Sequence, residues 1–154
     1  MTAAPAWLSF FESRQDEAID LLRRLVEIDS PTSGKAGVDR VGALVAEELR
    51  AAGARVTVIR QEKAGDALRA AFGPAAGGHP AILLGHLDTV WPLGEAARRP
   101  FRIEGAYAFG PGVFDMKVGI VPCVLLARAC REGVFRPRLP VVCFFSGDEE
   151  TGSP

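Results

Sequence analysis

The sequence predicts an α/β fold, a three-layer domain with a mainly parallel central sheet flanked by helices. Segments whose apolar residues recur at helical spacing alternate with short segments that are apolar throughout, and turns rich in glycine or proline separate them. Helices alternating with apolar strands are typical of layered α/β domains, in which helices cover a parallel sheet. The 154 residues suit one domain with a sizeable core.

The first two helices are predicted over residues 7–28 and 38–52, because apolar side chains fall on one face of each. The two stripes are Ala18, Leu21, Leu22 and Leu25, and Val41, Leu44, Val45 and Leu49. The polar, proline-containing residues 29–34 end the first helix. Gly53 suits the position just past the end of the second helix, where a left-handed backbone is common.

Four strands are predicted in the middle and at the end of the chain. Residues 55–60 alternate between apolar and polar, and residues 67–72 form a weaker strand. Residues 81–84 and 139–145 are apolar almost throughout, so we expect each to be a strand buried on both faces.

The remaining segments are predicted from their turn residues. Residues 71–80, rich in alanine, glycine and proline, are expected to form a hairpin loop, and residues 91–99 another loop. Residues 101–109 are predicted to form a short hairpin that turns at Glu104-Gly105. A third helix is expected over residues 116–131, ended by Gly133.

Composition and charge exclude several classes of protein. The net charge of −1, from 18 basic and 19 acidic residues, gives no electrostatic reason to expect nucleic acid or an anionic membrane as a partner. No apolar run approaches the roughly 20 residues that span a bilayer, and the N-terminus lacks the features of a secretory signal. Cys123, Cys130 and Cys143 lie in apolar runs, which favours buried free thiols in a reducing compartment. We therefore expect a cytoplasmic protein.

The first candidate site directly follows the apolar residues 81–84. Ligands of open α/β sheets bind beyond the carboxyl ends of the strands, where His86 would lie. In an extended chain His86 and Asp88 project to the same side, and an imidazole that binds metal usually donates its other N–H to a carboxylate or carbonyl. On its own, however, the pair is more typical of a hydrogen-bonded structural histidine.

Two further polar clusters follow glycines or apolar strands. Asp115 comes after a glycine-rich turn where the third helix begins, and alone it suits a helix N-cap. Asp148, Glu149 and Glu150 follow the last strand, where they repel one another unless a divalent cation is bound; a solvated acidic loop is the alternative. Together with His86, these carboxylates predict a Zn²⁺ site, with Mn²⁺ or Co²⁺ as substitutes.

Three motifs occur in a fixed order along the chain. They are Gly85-His86-Leu87-Asp88-Thr89-Val90, Gly110-Pro111-Gly112 leading to Asp115-Met116-Lys117, and Asp148-Glu149-Glu150-Thr151-Gly152-Ser153. In this order they resemble the peptidases with two co-catalytic zinc ions: glutamate carboxypeptidase, acetylornithine deacetylase, succinyl-diaminopimelate desuccinylase and aminoacylase-1. The glutamate carboxypeptidase branch is the most similar, and the resemblance covers essentially the whole chain.

The resemblance implies a role for each residue of the motifs. His86 would bind one zinc ion, Glu150 the other and Asp115 both, while Glu149 would be the general base and Asp88 the partner of His86. It also implies a cis peptide bond after Asp115. The implied activity is that of a carboxypeptidase or deacylase: hydrolysis of an amide bond of an N-acyl amino acid, or release of a C-terminal residue from a small peptide, by a water shared between the zinc ions.

The chain also departs from this family. Val118-Gly119 stand where the family has two glycines, and His79 matches no family ligand. A further acidic ligand, a late histidine ligand and an inserted dimerisation domain have no counterpart in residues 1–154. We therefore expect these residues to be the N-terminal part of the catalytic domain of a longer, homodimeric parent. The alternatives are an inactive fragment or degenerate paralogue, or a domain without metal whose acids are surface loops.

Overall fold

The computed structural model describes residues 5–75 and 78–153. The helices are α1 (Ala6–Glu12), α2 (Gln15–Val26), α3 (Lys35–Ala51), α4 (Glu95–Arg98) and α5 (Val118–Arg131). The strands are β1 (Arg55–Ile59), β2 (Ala67–Phe72), β3 (Ala81–His86), β4 (Arg102–Glu104), β5 (Tyr107–Phe109) and β6 (Val141–Ser146). These elements confirm the predicted α/β class. None of these helices is long and apolar enough to cross a membrane.

The main sheet is mixed, so the prediction of a mainly parallel sheet is wrong for the described residues. Its strand order is β1-β2-β6-β3, and only β3 and β6 run parallel. The β1–β2 and β2–β6 pairs are antiparallel. Residues 60–66 connect β1 to β2 directly, and a connection without a crossover can join only antiparallel neighbours. The predicted hairpin forms between β4 and β5.

The helices pack on one face of the main sheet. Side chains from α2, α3 and α5 form one core with the inward residues of β2 and β6: Leu68, Ala70, Phe72, Val141, Cys143 and Phe145. On the other face Ile82 is 59% exposed and Leu84 is 74% exposed. The expectation that β3 is buried on both faces is therefore wrong, and the described residues form two layers. A continuous apolar strand predicts cover on both faces, but no described helix covers the second one.

The helix boundaries differ from the predicted ones in three places. The helix predicted over residues 7–28 is interrupted between α1 and α2, where the Ser13 hydroxyl donates to the Phe10 carbonyl (2.9 Å). The helix α3 begins at Lys35 instead of residue 38. The helix α5 begins at Val118, because residues 113–117 form a distorted turn.

Two smaller expectations have mixed outcomes. The loop predicted over residues 91–99 contains the short helix α4, whose first N–H groups are bound by Asp29: its carboxylate accepts from the backbone of Gly94 and of Ala96, each at 2.8 Å. All three cysteines are free, as predicted, but only Cys143 is fully buried. Residues 76 and 77 of the predicted loop 71–80 lie outside the described residues.

Asp66 ties the β1–β2 connection to α3. Its buried carboxylate accepts hydrogen bonds from Lys35 Nζ (2.6 Å), from Arg60 and from the backbone N–H of Gln61 (3.1 Å). Its own backbone N–H donates to Asp39 (2.8 Å). Burial opposes ionisation, but the bonds from Lys35, Gln61 and Arg60 outweigh it and lower the pKa of Asp66 from 3.8 to about 2.

We expect Asp66→Asn to reduce the free energy of unfolding near neutral pH by about 1–3 kcal/mol, because it removes a buried, hydrogen-bonded carboxylate. The folded-state pKa of Asp66 lies below the unfolded one, so its contribution is fully present above pH 3.8 and is lost as the pH falls through about 2. Urea unfolding at several pH values measures this. The stability gap between wild type and variant should narrow below pH 3.8, whereas Glu47→Gln, on the exposed face of α3, should show no such gap. A gap independent of pH would contradict the assignment.

Candidate metal centre

The three predicted polar clusters meet at one edge of the main sheet. The strands β3 and β6 pair in parallel with His86 opposite Ser146, so the residues that follow each strand leave the sheet side by side. Asp115 arrives from the distorted turn before α5. One ligand atom each of His86, Asp115 and Glu150 lies within 4.8 Å of the others. The structure therefore brings together the three residues that the motifs singled out as metal ligands.

His86 is buried and contacts carboxylate groups on both sides of its ring. Its Nδ1 lies 3.0 Å from the backbone oxygen of Asp88 and 3.3 Å from its carboxylate. Its Nε2 lies 3.0 Å from Asp115 Oδ1 and 3.8 Å from Glu149 Oε2. The hydrogen bond with Asp88 raises the pKa of His86 to about 9, against the opposing effect of burial, and Asp115 adds to the rise. Since a metal ion binds only neutral imidazole, it would compete with this proton at Nε2.

Asp88 organises more of the site than its predicted contact with His86. Asp88 is 1% exposed, and its carboxylate accepts hydrogen bonds from Thr32 Oγ1 (2.7 Å) and from the backbone N–H groups of Glu149 and Glu150 (3.2 Å each). Burial alone would favour the neutral acid, but the bonds from His86, Thr32 and Glu150 lower the pKa of Asp88. One ionised carboxylate thus fixes both the histidine and the acidic turn Glu149–Thr151.

The turn that carries Asp115 needs a glycine at its start. Gly112 has a φ of +69°, a left-handed conformation that favours glycine, and a Cβ there would lie 2.6 Å from Thr89 Cγ2. The Asp115–Met116 peptide bond is cis, as the resemblance implies. Asp115 itself is 68% exposed, and it contacts His86 instead of capping α5, for which no side-chain cap is present.

Met116 and Lys117 connect this turn to the rest of the protein through hydrogen bonds and packing. Met116 Sδ accepts a hydrogen bond from the backbone N–H of His86 (3.2 Å), and its methyl group would lie 2.7 Å from a Cβ at Gly85. Lys117 is buried and donates to the backbone oxygen of Ile28 (2.7 Å). Burial lowers the pKa of Lys117 to about 8. The sequence pattern predicts a role for neither residue, because their partners lie far away in the chain.

The electrostatics of the cluster favour a bound cation. Burial raises the pKa of Glu150, and the negative charges of Asp115, Asp88 and Glu149 add to the rise, with His86 opposing them. An imidazole nitrogen with several carboxylate oxygens is a donor set that divalent transition metals bind, and such an ion would relieve the repulsion. The residues present therefore fit a metal ion. His79, in the loop before β3, takes no part in this group.

A cleft of about 590 Å³ opens beside the cluster. Its lining includes His86, Met116 and Glu149, together with Leu84 and Phe144 of β3 and β6. Its volume falls within the usual range for sites that bind small molecules. Glu149 lines the cleft, and its Oε2 lies 3.8 Å from His86 Nε2, so its side chain borders both the cleft and the metal cluster. That side chain is 57% exposed.

The sequence of this chain is similar to that of a known peptidase family and of a known carboxypeptidase. Residues 82–154 match the model of peptidase family M20/M25/M40. The chain is 33% identical over 150 residues to carboxypeptidase G2 from Pseudomonas sp. (strain RS-16), an alignment that covers 93% of this chain and 35% of that protein. The chain thus spans about a third of the length of this relative.

Solved structures show the same fold. Human carnosine dipeptidase 1 superposes with a TM-score of 0.81 and 20% identity, over 99% of this chain and 36% of that one. A family M20 metallo-carboxypeptidase from Sulfolobus solfataricus gives a TM-score of 0.74 and 16% identity, over 90% and 32% of the two chains. The matched residues 82–154 include all three motifs that meet at the metal cluster. The chain is therefore similar to peptidase family M20/M25/M40 in sequence over residues 82–154, and its fold is that of the solved structures named here.

Proposed function

We propose that this chain carries the metal-binding and general-base part of a zinc-dependent hydrolase. Its substrate would be an N-acyl amino acid or a small peptide that loses its C-terminal residue. The observation that supports this most directly is the convergence of His86, Asp115 and Glu150 within 4.8 Å, beside the partly exposed carboxylate of Glu149. The carboxypeptidase and dipeptidase among the similar proteins act on bonds of this class.

The proposal assigns each metal ligand to a zinc ion. His86 would hold one ion, Glu150 the other, and Asp115 both. Bound zinc supplies a Lewis acid that lowers the pKa of a water and polarises an amide carbonyl. The mixed nitrogen and oxygen donors suit Zn²⁺, with Co²⁺ or Mn²⁺ as possible substitutes.

The chain's own residues would handle the protons. Glu149 is not one of the three residues whose ligand atoms converge within 4.8 Å, and its Oε2 lies 3.8 Å from His86 Nε2. It can therefore accept the proton of the attacking water and pass it to the leaving amine. Asp88 occupies the Nδ1 side of His86 and so keeps Nε2 directed at the acids. Glu149 and Glu150, although adjacent, would therefore have different roles.

The activity is proposed for the whole protein of which this chain is part. Assigning His86 and Asp115 to one ion, and Asp115 and Glu150 to the other, gives each zinc ion two protein ligands, one fewer than catalytic zinc sites usually have. We propose that residues 1–154 are the N-terminal part of the catalytic domain, completed by ligands from elsewhere in the parent. The homodimeric state of the parent and its cytoplasmic location remain predictions.

Hydrolysis by the full-length parent tests this function. Loaded with zinc, it should release amine from N-acyl-glutamate or from one of a panel of N-acyl amino acids and dipeptides. A zinc chelator should abolish turnover, and added Zn²⁺ should restore it. A parent that binds no zinc, or that hydrolyses none of these amides when zinc is bound, would contradict the proposal.

A separate expectation concerns the chain of 154 residues alone. It should bind zinc weakly and show no measurable turnover, because two ligands per ion leave each site incomplete. Isothermal titration with Zn²⁺ and the same amine-release assay measure this, with the full-length parent as the comparison. Robust turnover by the short chain would show that residues 1–154 already hold a complete site.

A further inference from the structure

One short segment contacts two of the three parts of the chain that carry the metal centre. Residues 28–32, between α2 and α3, are called here the bracing segment. The backbone oxygen of Ile28 accepts from Lys117 (2.7 Å), which follows Asp115 in its turn. The backbone oxygen of Ser30 accepts from the N–H of Thr89 (2.8 Å). Thr32 donates its hydroxyl to Asp88 (2.7 Å).

We propose that Thr32 is a positioning residue of the metal centre, acting through Asp88. It touches neither the cluster of metal ligands nor the reacting atoms, and the inference rests on the proposed function. Among the described residues, Thr32 and His86 are the two whose side chains contact the Asp88 carboxylate.

The hydrogen bonds of Asp88 show why this hydroxyl matters. Asp88 Oδ2 accepts from Thr32 and from the N–H of Glu150, and Oδ1 accepts from the N–H of Glu149 and faces His86 Nδ1 at 3.3 Å. Without the Thr32 hydroxyl, Oδ2 would keep one donor of two. A buried charge that loses a hydrogen bond is destabilised, and a rotation of the carboxylate towards its remaining donors would alter the contacts that orient His86 and the acidic turn.

The surroundings of Thr32 hold its hydroxyl in place. Pro31 forms a backbone bridge with Thr89, and the Asp29 carboxylate binds two N–H groups at the start of α4. The helix α3 packs so closely that a Cβ on Gly37 would lie 2.2 Å from the backbone oxygen of Asp29. The bracing segment is therefore fixed on several sides, and the donor reaches Asp88 already oriented.

The test compares two substitutions at Thr32 in the full-length protein. Thr32→Val removes the hydroxyl at nearly constant shape, and Thr32→Ser keeps it. Groups that orient metal ligands typically change metal affinity by about 10–100-fold when removed. We expect Thr32→Val to weaken zinc binding by that factor in a chelator-competition assay, and Thr32→Ser to stay within about threefold of wild type. Should the valine variant fail to fold, as judged by circular dichroism, Thr32→Ala takes its place.

Two further measurements separate positioning from a structural role. The Co²⁺-substituted absorption spectrum should change in Thr32→Val and return in Thr32→Ser, because it reports the geometry of the ligands. Thr57→Val is the control: Thr57 is exposed on β1, the strand at the opposite edge of the main sheet from β3, so the substitution makes the same chemical change away from Asp88. Its zinc affinity should stay at the wild-type value.

The outcomes distinguish this inference from the proposed function. If wild type binds no zinc, the proposed function fails. If wild type binds zinc and Thr32→Val binds it equally well with an unchanged Co²⁺ spectrum, or if Thr32→Ser does not restore affinity, only the positioning role of Thr32 is wrong. A lower urea midpoint of the metal-free Thr32→Val protein with unchanged zinc affinity would assign Thr32 to stability alone.

Discussion

In the full-length parent, replacing Glu149 with glutamine is expected to lower kcat by on the order of 10²- to 10⁴-fold, the usual contribution of a general acid–base group, while zinc binding stays unchanged. Glutamine keeps the shape of the side chain but cannot accept the proton of the attacking water. Glu149 is 57% exposed at the cleft, and it is not one of the three residues whose ligand atoms converge within 4.8 Å. Amine release from N-acyl-glutamate gives kcat and KM, and atomic emission gives the zinc content.

The control is the same change at an exposed glutamate far from the site. Glu47 lies on the outer face of α3, so Glu47→Gln should keep wild-type kcat and zinc content. Two results would contradict the role of Glu149. Unchanged kcat would exclude it as the general base, and a loss of zinc in parallel with kcat would make it a metal ligand instead.

The meeting of the three motifs is the part of the site that sequence could predict. His86 and the acidic turn each follow an apolar strand, and the carboxyl ends of parallel neighbours lie at the same edge of a sheet. The structure pairs β3 and β6 in this way. Asp115 was harder to place, because a helix N-cap accounts equally well for an aspartate at the start of α5.

Sequence patterns could not predict the groups that hold the site residues in position. Thr32 and Asp88 are 56 residues apart, and Lys117 reaches a backbone oxygen 89 residues away. A threonine in a polar loop and a lysine after an aspartate carry no periodic signal, so only the tertiary structure shows their partners. The same is true of the two N–H groups of the acidic turn that bind Asp88.

The predictions about the fold that the structure contradicts fail for related reasons. Local hydrophobicity predicts that a segment is a strand, but strand direction depends on which neighbours pair and on how long the connections are. The apolar residues Ile82 and Leu84 predict cover on both faces of β3, and that cover would have to come from outside the described residues, since both are exposed here. The break after α1 depends on Ser13 and on the packing of Arg14 over the Phe10 ring, with no glycine or proline to reveal it.

Replacing Asp115 with asparagine is expected to weaken zinc binding by on the order of 100-fold or more, beyond the effect of residues that merely orient ligands. The Asp115 carboxylate lies 3.0 Å from His86 Nε2 and within the 4.8 Å group that includes Glu150, and in the proposed assignment it would serve both ions. Asparagine offers one neutral oxygen and cannot serve two ions. Competition with a chelator, and the zinc that remains after dialysis, measure the loss.

The same substitution should not destabilise the metal-free protein, and this separates a binding role from a structural one. The charge of Asp115 contributes to the raised pKa of Glu150, so removing it relieves repulsion among the acids and should leave the urea midpoint equal or higher. It also gives up a contact with protonated His86, which limits that gain. Asp16→Asn, on the exposed face of α2, is the control for the loss of one carboxylate.

The increase in stability on zinc binding then distinguishes a metal-binding role of Asp115 from a structural one. A ligand that binds only the folded state raises its stability in proportion to the logarithm of ligand concentration over Kd. Added Zn²⁺ should therefore raise the Tm of wild type and of Asp16→Asn by the same amount, and should raise that of Asp115→Asn much less. If Asp115→Asn lowered the metal-free Tm and kept the full zinc-dependent shift, Asp115 would be a structural residue, and the metal cluster would have to be held by other side chains.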